Sequence, residues 1–156
     1  MKIFISHKKE DETVANSIAT ELNKLGVSYY LDLLDTQISC SGKALTDHIK
    51  SNLNDCTDII VVMSENTRYS QWVPFEVGMS AQKDMPTATY LKENVGLPDF
   101  LTYWPRLKKP SDIQKYVQTR NEVDIEYACK SLFESSSYAR GKSKTERFYE
   151  VLKQKL

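Results

Sequence analysis

The most apolar run in the chain, Ile59 to Met63, has five residues and no polar interruption. A run of that kind predicts a strand buried on both faces. Polar Ser64-Glu65-Asn66-Thr67 ends it, and a helix is predicted from near Trp72. Pro74 is tolerated there because the first helical turn has no use for its missing N–H. Trp72 and Glu76 are four residues apart and so share one helix face. A carboxylate beside a large aromatic, just past the carboxyl end of a buried strand, lies where open α/β sheets place their ligands.

The same alternation runs through the rest of the chain. Lys2 to Ser6 is a short β-rich run, and Val14, Ile18, Leu22 and Leu25 then recur at helical spacing up to Gly26. Val27 to Leu33 predicts a second strand, and Leu34 to Lys43 a polar loop closing at Ser41-Gly42. Leu45, Ile49 and Leu53 repeat every fourth residue, which predicts a second helix before the buried strand. The helix with Glu76 continues through Ala81, and Ala88 to Leu91 predicts a fourth strand behind Pro86. A βαβαβαβ order with short loops implies a parallel sheet with helices on both faces and right-handed crossovers.

Beyond that, Phe100 to Trp104 is read as a fifth, edge strand, and Ser111 with Gln114 resembles a capping box opening a helix through Val117. Past Asn121 the pattern is helical but less regular. Ser135-Ser136-Ser137 and Arg140-Gly141 mark a loop, and Ser143 with Glu146 caps a final helix with Phe148, Val151 and Leu152 on its apolar face. No repeat or low-complexity linker divides the chain, so residues 1–156 are read as one domain, with a core to about 121 and residues 122–156 as a helical appendage.

Composition narrows the function classes. The chain of 156 residues carries 40% hydrophobic and 27% charged residues, ordinary for one globular domain with a real core. Lys and Arg number 21 against 21 Asp and Glu, so no net field favours nucleic acid or an anionic membrane. No apolar run is long enough to span a bilayer, and Met1-Lys2-Ile3-Phe4-Ile5-Ser6 enters a strand without a signal-peptide pattern; a cytoplasmic location is expected. Cys40, Cys56 and Cys129 are odd in number and widely spaced, and with His7 and His48 they form no metal-ligand pattern.

At this point the residues carry a resemblance. Phe4-Ile5-Ser6-His7-Lys8-Lys9-Glu10-Asp11 resembles the opening box of Toll/interleukin-1 receptor (TIR) domains, where a strand ending Phe-Ile-Ser-Tyr leads through a charged loop to Asp. Tyr30-Leu31-Asp32 is similar to the end of the family's second strand, Leu34 to Gly42 to its long loop, and Ile60-Val61-Val62-Met63-Ser64 to its third strand. Ser70, Trp72 and Glu76 are similar to the Ser-x-Trp-x-x-x-Glu of its NAD-cleaving branch. These landmarks occur in register over roughly residues 1 to 91, which is the context a motif requires. The chain departs from the family at His7, where Tyr is usual, in its long second-strand loop and in the tail past Asn121.

The resemblance implies a flavodoxin-like three-layer sandwich, with about five parallel strands in the order 2-1-3-4-5. It also implies an enzyme that breaks the nicotinamide–ribose bond of NAD with Glu76 as catalytic carboxylate and NAD as substrate, no cofactor or metal being needed. The chemistry suits a carboxylate, because departure of the cationic nicotinamide leaves an oxocarbenium-like ribose. The ADP-ribosyl unit then passes to water, to an adenine nitrogen of the same molecule or to another base. Small bacterial TIR proteins resemble the sensor enzymes of Thoeris anti-phage systems, which make a nucleotide signal for a separate effector. Family members also assemble head to tail, and open contacts of that kind build filaments; the loop Leu34 to Gly42 is expected to complete a neighbour's site.

Each residue also has a plainer reading. An acid in the first turn of a helix is favoured by the dipole alone, which is the alternative for Glu76. Trp72 is either core or pocket wall. His7, Lys8 and Lys9 are either a solvated loop or, since they follow the first strand beside the switch point, contacts to a pyrophosphate. Ser6 belongs to the same box, and Asp32 and Asp35 are either loop solubility or ribose contacts. Cys40 and His48 are read as bystanders, and no Gly-x-Gly-x-x-Gly is present. The competing function is a non-catalytic TIR module acting through association. A receiver domain needs an acidic pair after the first strand and Asp ending the third, where this chain has Ser6-His7 and Ser64.

Overall fold

Alternation along the strands decides the layers. The computed structural model describes residues 1–31, 42–70, 72–91, 95–133 and 142–156. Strands β1 (Lys2–Ser6), β2 (Ser28–Leu31), β3 (Asp58–Met63), β4 (Thr87–Leu91) and β5 (Arg106–Leu107) form one parallel sheet in the order 2-1-3-4-5. Ile3 and Ile5 of β1 with Ile60 and Val62 of β3 point to one face; Phe4, Ile59, Val61 and Met63 point to the other. Against the first face lie α1 (Glu12–Lys24), α4 (Pro110–Phe133) and α5 (Lys144–Lys155), and against the second α2 (Gly42–Asn54) and α3 (Trp72–Gln82). The six residues of β3 are all buried, as their unbroken hydrophobicity predicts.

Local chemistry sets the helix ends. α1 stops where Gly26 takes φ +67, with Val27 N–H donating to the Leu22 carbonyl at 2.9 Å and Gly26 N–H to Asn23 at 3.0 Å. That is the paired C-terminal closure which satisfies carbonyls a helix end leaves open. At α5, Ser143 Oγ accepts from Glu146 N–H at 3.1 Å and the Glu146 carboxylate accepts from Ser143 N–H at 2.9 Å, the capping box expected from the spacing.

Two expectations change. The segment read as a fifth strand, Phe100 to Trp104, instead contains a 3-10 turn at Asp99–Leu101, and the edge strand is Arg106–Leu107. Phe100 and Tyr103 are exposed while Leu101 and Trp104 are buried, a spacing of three that suits the tight turn and not a strand. The helix expected from Ser111 begins at Pro110, whose missing N–H is harmless at a first position, and runs unbroken past Val117 to Phe133. The second strand is Ser28–Leu31; residues 32 and 33 of its expected span, and nearly all of the Leu34 to Gly42 loop, lie outside the described residues.

The C-terminal part is also built into the core. α4 crosses position 121 without a break, and Phe148 and Leu152 of α5 are fully buried in the same cluster as Ile3, Ile60 and Tyr116. Burying such side chains is worth about 1.5–3 kcal/mol each. A polar cluster locks the arrangement. Asp58, with no exposure, is bound by Arg120 Nε at 2.7 Å, by the Tyr116 hydroxyl at 2.9 Å and by Thr57 Oγ1 at 2.6 Å. The Arg120 guanidinium also lies 5.5 Å from the Phe148 ring centre. Burial, reinforced by Asp58, holds the Tyr116 phenol well above its usual range.

Candidate active site at the switch point

In this strand order the chain leaves β1 towards β2 and leaves β3 towards β4 in opposite directions, which opens a crevice beyond the carboxyl ends of β1 and β3. Ser6 ends β1, in register with Val61 of β3. Across from it stands α3, whose start is held by Ser70, the Oγ accepting from Trp72 N–H at 3.3 Å and Val73 N–H at 3.4 Å. One turn on, Glu76 faces inward with Val73 and Val77 and is only 3% exposed. Ser6 Oγ donates a hydrogen bond to Glu76 Oε2, joining residues 70 apart in sequence. A carboxylate buried to this degree needs a hydrogen-bonding partner, and the end of β1 supplies one.

The other sequence candidates divide. Trp72 opens α3 but stays 37% exposed, its ring edge-on to Phe75 at 6.0 Å between centroids, so it is a surface aromatic and not core. His7 turns back on its own strand, Nδ1 lying 3.3 Å from the Ile5 carbonyl oxygen. Lys8 pairs with Glu10 at 3.4 Å, both partly exposed, a geometry worth little in energy. Lys9 begins the 3-10 turn Lys9–Asp11 on the same rim. His48 of α2 is a surface residue, hydrogen-bonded through Nε2 to the Tyr30 hydroxyl at 3.0 Å. Asp32, Asp35 and Cys40 lie outside the described residues.

Two features were given no role from the sequence, where Asp11 stands only as the end of the opening box. Asp11 is buried, and its Oδ2 accepts from Ser64 Oγ and from Thr67 Oγ1, tying the β1 exit to the β3 exit. The Ser-x-x-Thr spacing after β3 was the available signal, because short hydroxyl residues there close local turns. The second is a groove of about 310 Å³ walled by Pro74, Val77, Ala81, Phe100 and Tyr103. Its walls come from a helix and a turn that sequence spacing does not relate.

Fold and site together define a flavodoxin-like α/β domain with a buried carboxylate at its switch point. The chain belongs to the TIR domain family, whose profile matches residues 3–125. Among curated proteins it is 27% identical over 84 residues to a predicted cyclic ADP-D-ribose synthase, TIR2, of Cytobacillus dafuensis, covering 51% of this chain and 22% of that one. It is 29% identical over 79 residues to a predicted 3' cyclic ADP-D-ribose synthase, ThsB', of Bacillus cereus (strain MSX-D12), covering 49% of this chain and 41% of that one. The chain thus spans less than half the length of these relatives. Among solved structures, a 2-deoxyribosyltransferase from Bacillus psychrosaccharolyticus superposes with TM-score 0.60 at 14% identity, over 73% of this chain and 90% of that one, a likeness of fold. Among the described residues no helix is long and apolar enough to cross a membrane.

Proposed function

We propose that this chain cleaves the bond between nicotinamide N1 and ribose C1′ of NAD, with Glu76 as the catalytic carboxylate. The observation that carries the reading is Glu76 itself, buried at the switch point of a TIR domain and held by Ser6. As the bond breaks, its electron pair leaves with neutral nicotinamide and positive charge gathers at C1′. A buried carboxylate stabilises that charge more strongly than it would in water. The cation is then captured by water, which loses a proton, or by an adenine nitrogen of the same molecule. The names of both curated relatives favour the cyclic outcome.

On this reading Lys8 and Lys9 on the β1 rim meet the pyrophosphate, His7 and Trp72 border the substrate, and Asp32 and Asp35, which lie outside the described residues, are the candidates for the ribose hydroxyls. The product is a nucleotide signal read by a separate effector in anti-phage defence, made in the cytoplasm by an assembly of TIR domains that extends to a filament on activation. A second reading, association without chemistry, is favoured by the exposed aromatics Trp72, Phe75, Phe100 and Tyr103.

Concentrated protein incubated with NAD, followed by chromatography and mass spectrometry, separates the two. Wild type is expected to release nicotinamide and Glu76→Ala to release none, with the mass of the second product distinguishing hydrolysis from cyclisation. If wild type leaves NAD intact even with extract from phage-infected cells, the association reading replaces the enzyme.

A further inference from the structure

Asp11 occupies the N-cap of α1, where an aspartate ordinarily accepts from the N–H groups of its own first turn. Here it makes no such bond. Its carboxylate is turned instead across the crevice, where Oδ2 accepts from both Ser64 Oγ and Thr67 Oγ1. Ser64 Oγ in turn accepts from Asn66 N–H at 3.0 Å and Thr67 N–H at 3.2 Å, so the carboxylate organises the whole turn after β3. Thr67 is 2% exposed and opens the 3-10 turn Thr67–Tyr69, whose next residue, Ser70, caps α3. Asp11 N–H donates to the Lys8 carbonyl at 2.8 Å, which fixes the loop carrying His7, Lys8 and Lys9.

We propose that Asp11, through Ser64 and Thr67, is a positioning residue that sets where α3 begins and so where Glu76 stands against Ser6. The proposal rests, for its kinetic part, on the NAD-cleaving reading of the site. Asp11 makes no side-chain cap of its own helix, and among the described residues the hydrogen bonds to its carboxylate come from the β3 exit. These two connections flank the switch point, and a carboxylate shared between two hydroxyls holds them at one separation. Charge-assisted bonds of this kind are shorter and stronger than neutral ones. The geometry matters because displacing a reacting group by about 1 Å costs about a hundredfold in rate.

Asp11→Ala, Asp11→Asn, Thr67→Val and the double Asp11→Ala/Thr67→Val are compared for nicotinamide release and for acrylamide quenching of Trp72, with Trp104→Phe as background so that Trp72 alone reports. Loss of the link is expected to lower kcat about tenfold or more in Asp11→Ala and Thr67→Val with KM within about threefold, the pattern of an interaction acting on the transition state. The double variant is expected to be no worse than the poorer single, and Asp11→Asn, which keeps a carbonyl acceptor, to recover most of the rate. Trp72 is expected to quench more readily in Asp11→Ala and Thr67→Val than in Asp11→Asn. Additive losses, or unchanged quenching beside a lowered melting temperature, overturn the proposal by showing that Asp11 supports stability alone. If wild type releases no nicotinamide, the reading of the function falls while the quenching comparison still decides the role of Asp11.

Discussion

Ser6→Ala tests the link between β1 and the proposed catalytic carboxylate. Ser6 has no exposure and Glu76 has 3%, so their hydrogen bond is shielded from water and salt. A hydrogen bond to a charged partner contributes about 1.5–3 kcal/mol. If that interaction holds Glu76 in its reacting position, its loss appears in kcat, at 1.36 kcal/mol per decade, as a fall of about 10- to 150-fold. The assay is initial-rate nicotinamide release across a range of NAD concentrations, with the urea midpoint of the variant measured in parallel. The double variant Ser6→Ala/Glu76→Gln is expected to be no slower than Glu76→Gln, since the two side chains act as one unit. A wild-type kcat in Ser6→Ala refutes the reasoning. A raised KM with kcat unchanged does so in another way, returning Ser6 to direct contact with substrate.

Two further outcomes concern stability. Arg120→Ala leaves Asp58 buried without its cation, a change that costs about 3–5 kcal/mol; for a domain of this size the melting temperature is expected to fall by about 6–20 °C, and a shift under 2 °C refutes the role. Burial raises the Tyr149 phenol from 10.0 to about 12, so the folded chain favours the neutral form. That contribution is fully present below pH 10 and is lost as pH climbs towards 12, up to about 2–3 kcal/mol at 1.36 kcal/mol per unit. Urea midpoints between pH 9 and 12 are expected to fall more steeply in wild type than in Tyr149→Phe, and parallel slopes refute the assignment. At neutral pH the same substitution leaves Thr87 N–H, which donates to the Tyr149 hydroxyl at 2.9 Å, without its acceptor.

Much of this protein is written in short-range pattern. The apolar run Ile59 to Met63, the four-residue repeats of α1 and α2, the Gly26 stop and the Ser143–Glu146 box each depend on neighbours within about one helical turn, so the chain alone determined the alternation of strand and helix. The spacing of Ser70, Trp72 and Glu76 is likewise legible in the sequence, but in the structure Ser70 precedes α3, Trp72 stays at the surface and Glu76 turns inward. What short-range pattern does not contain is the partner. Ser6 meets Glu76 across 70 residues, Asp11 reaches Ser64 and Thr67 across 53 and 56, and Asp58 reaches Arg120 across 62. Phe100 to Trp104 reads as a strand because aromatic residues favour strands, whereas the structure turns the chain at Asp99–Leu101 and buries Leu101 and Trp104 in the same cluster as Val73 and Val77 of α3. Phe148 and Leu152 made a narrow stripe that an isolated helix also shows; only packing against Tyr116 and the sheet made it core. The sheet order brings the ends of β1 and β3 together, and that juxtaposition, which no local period encodes, turns separate side chains into a site.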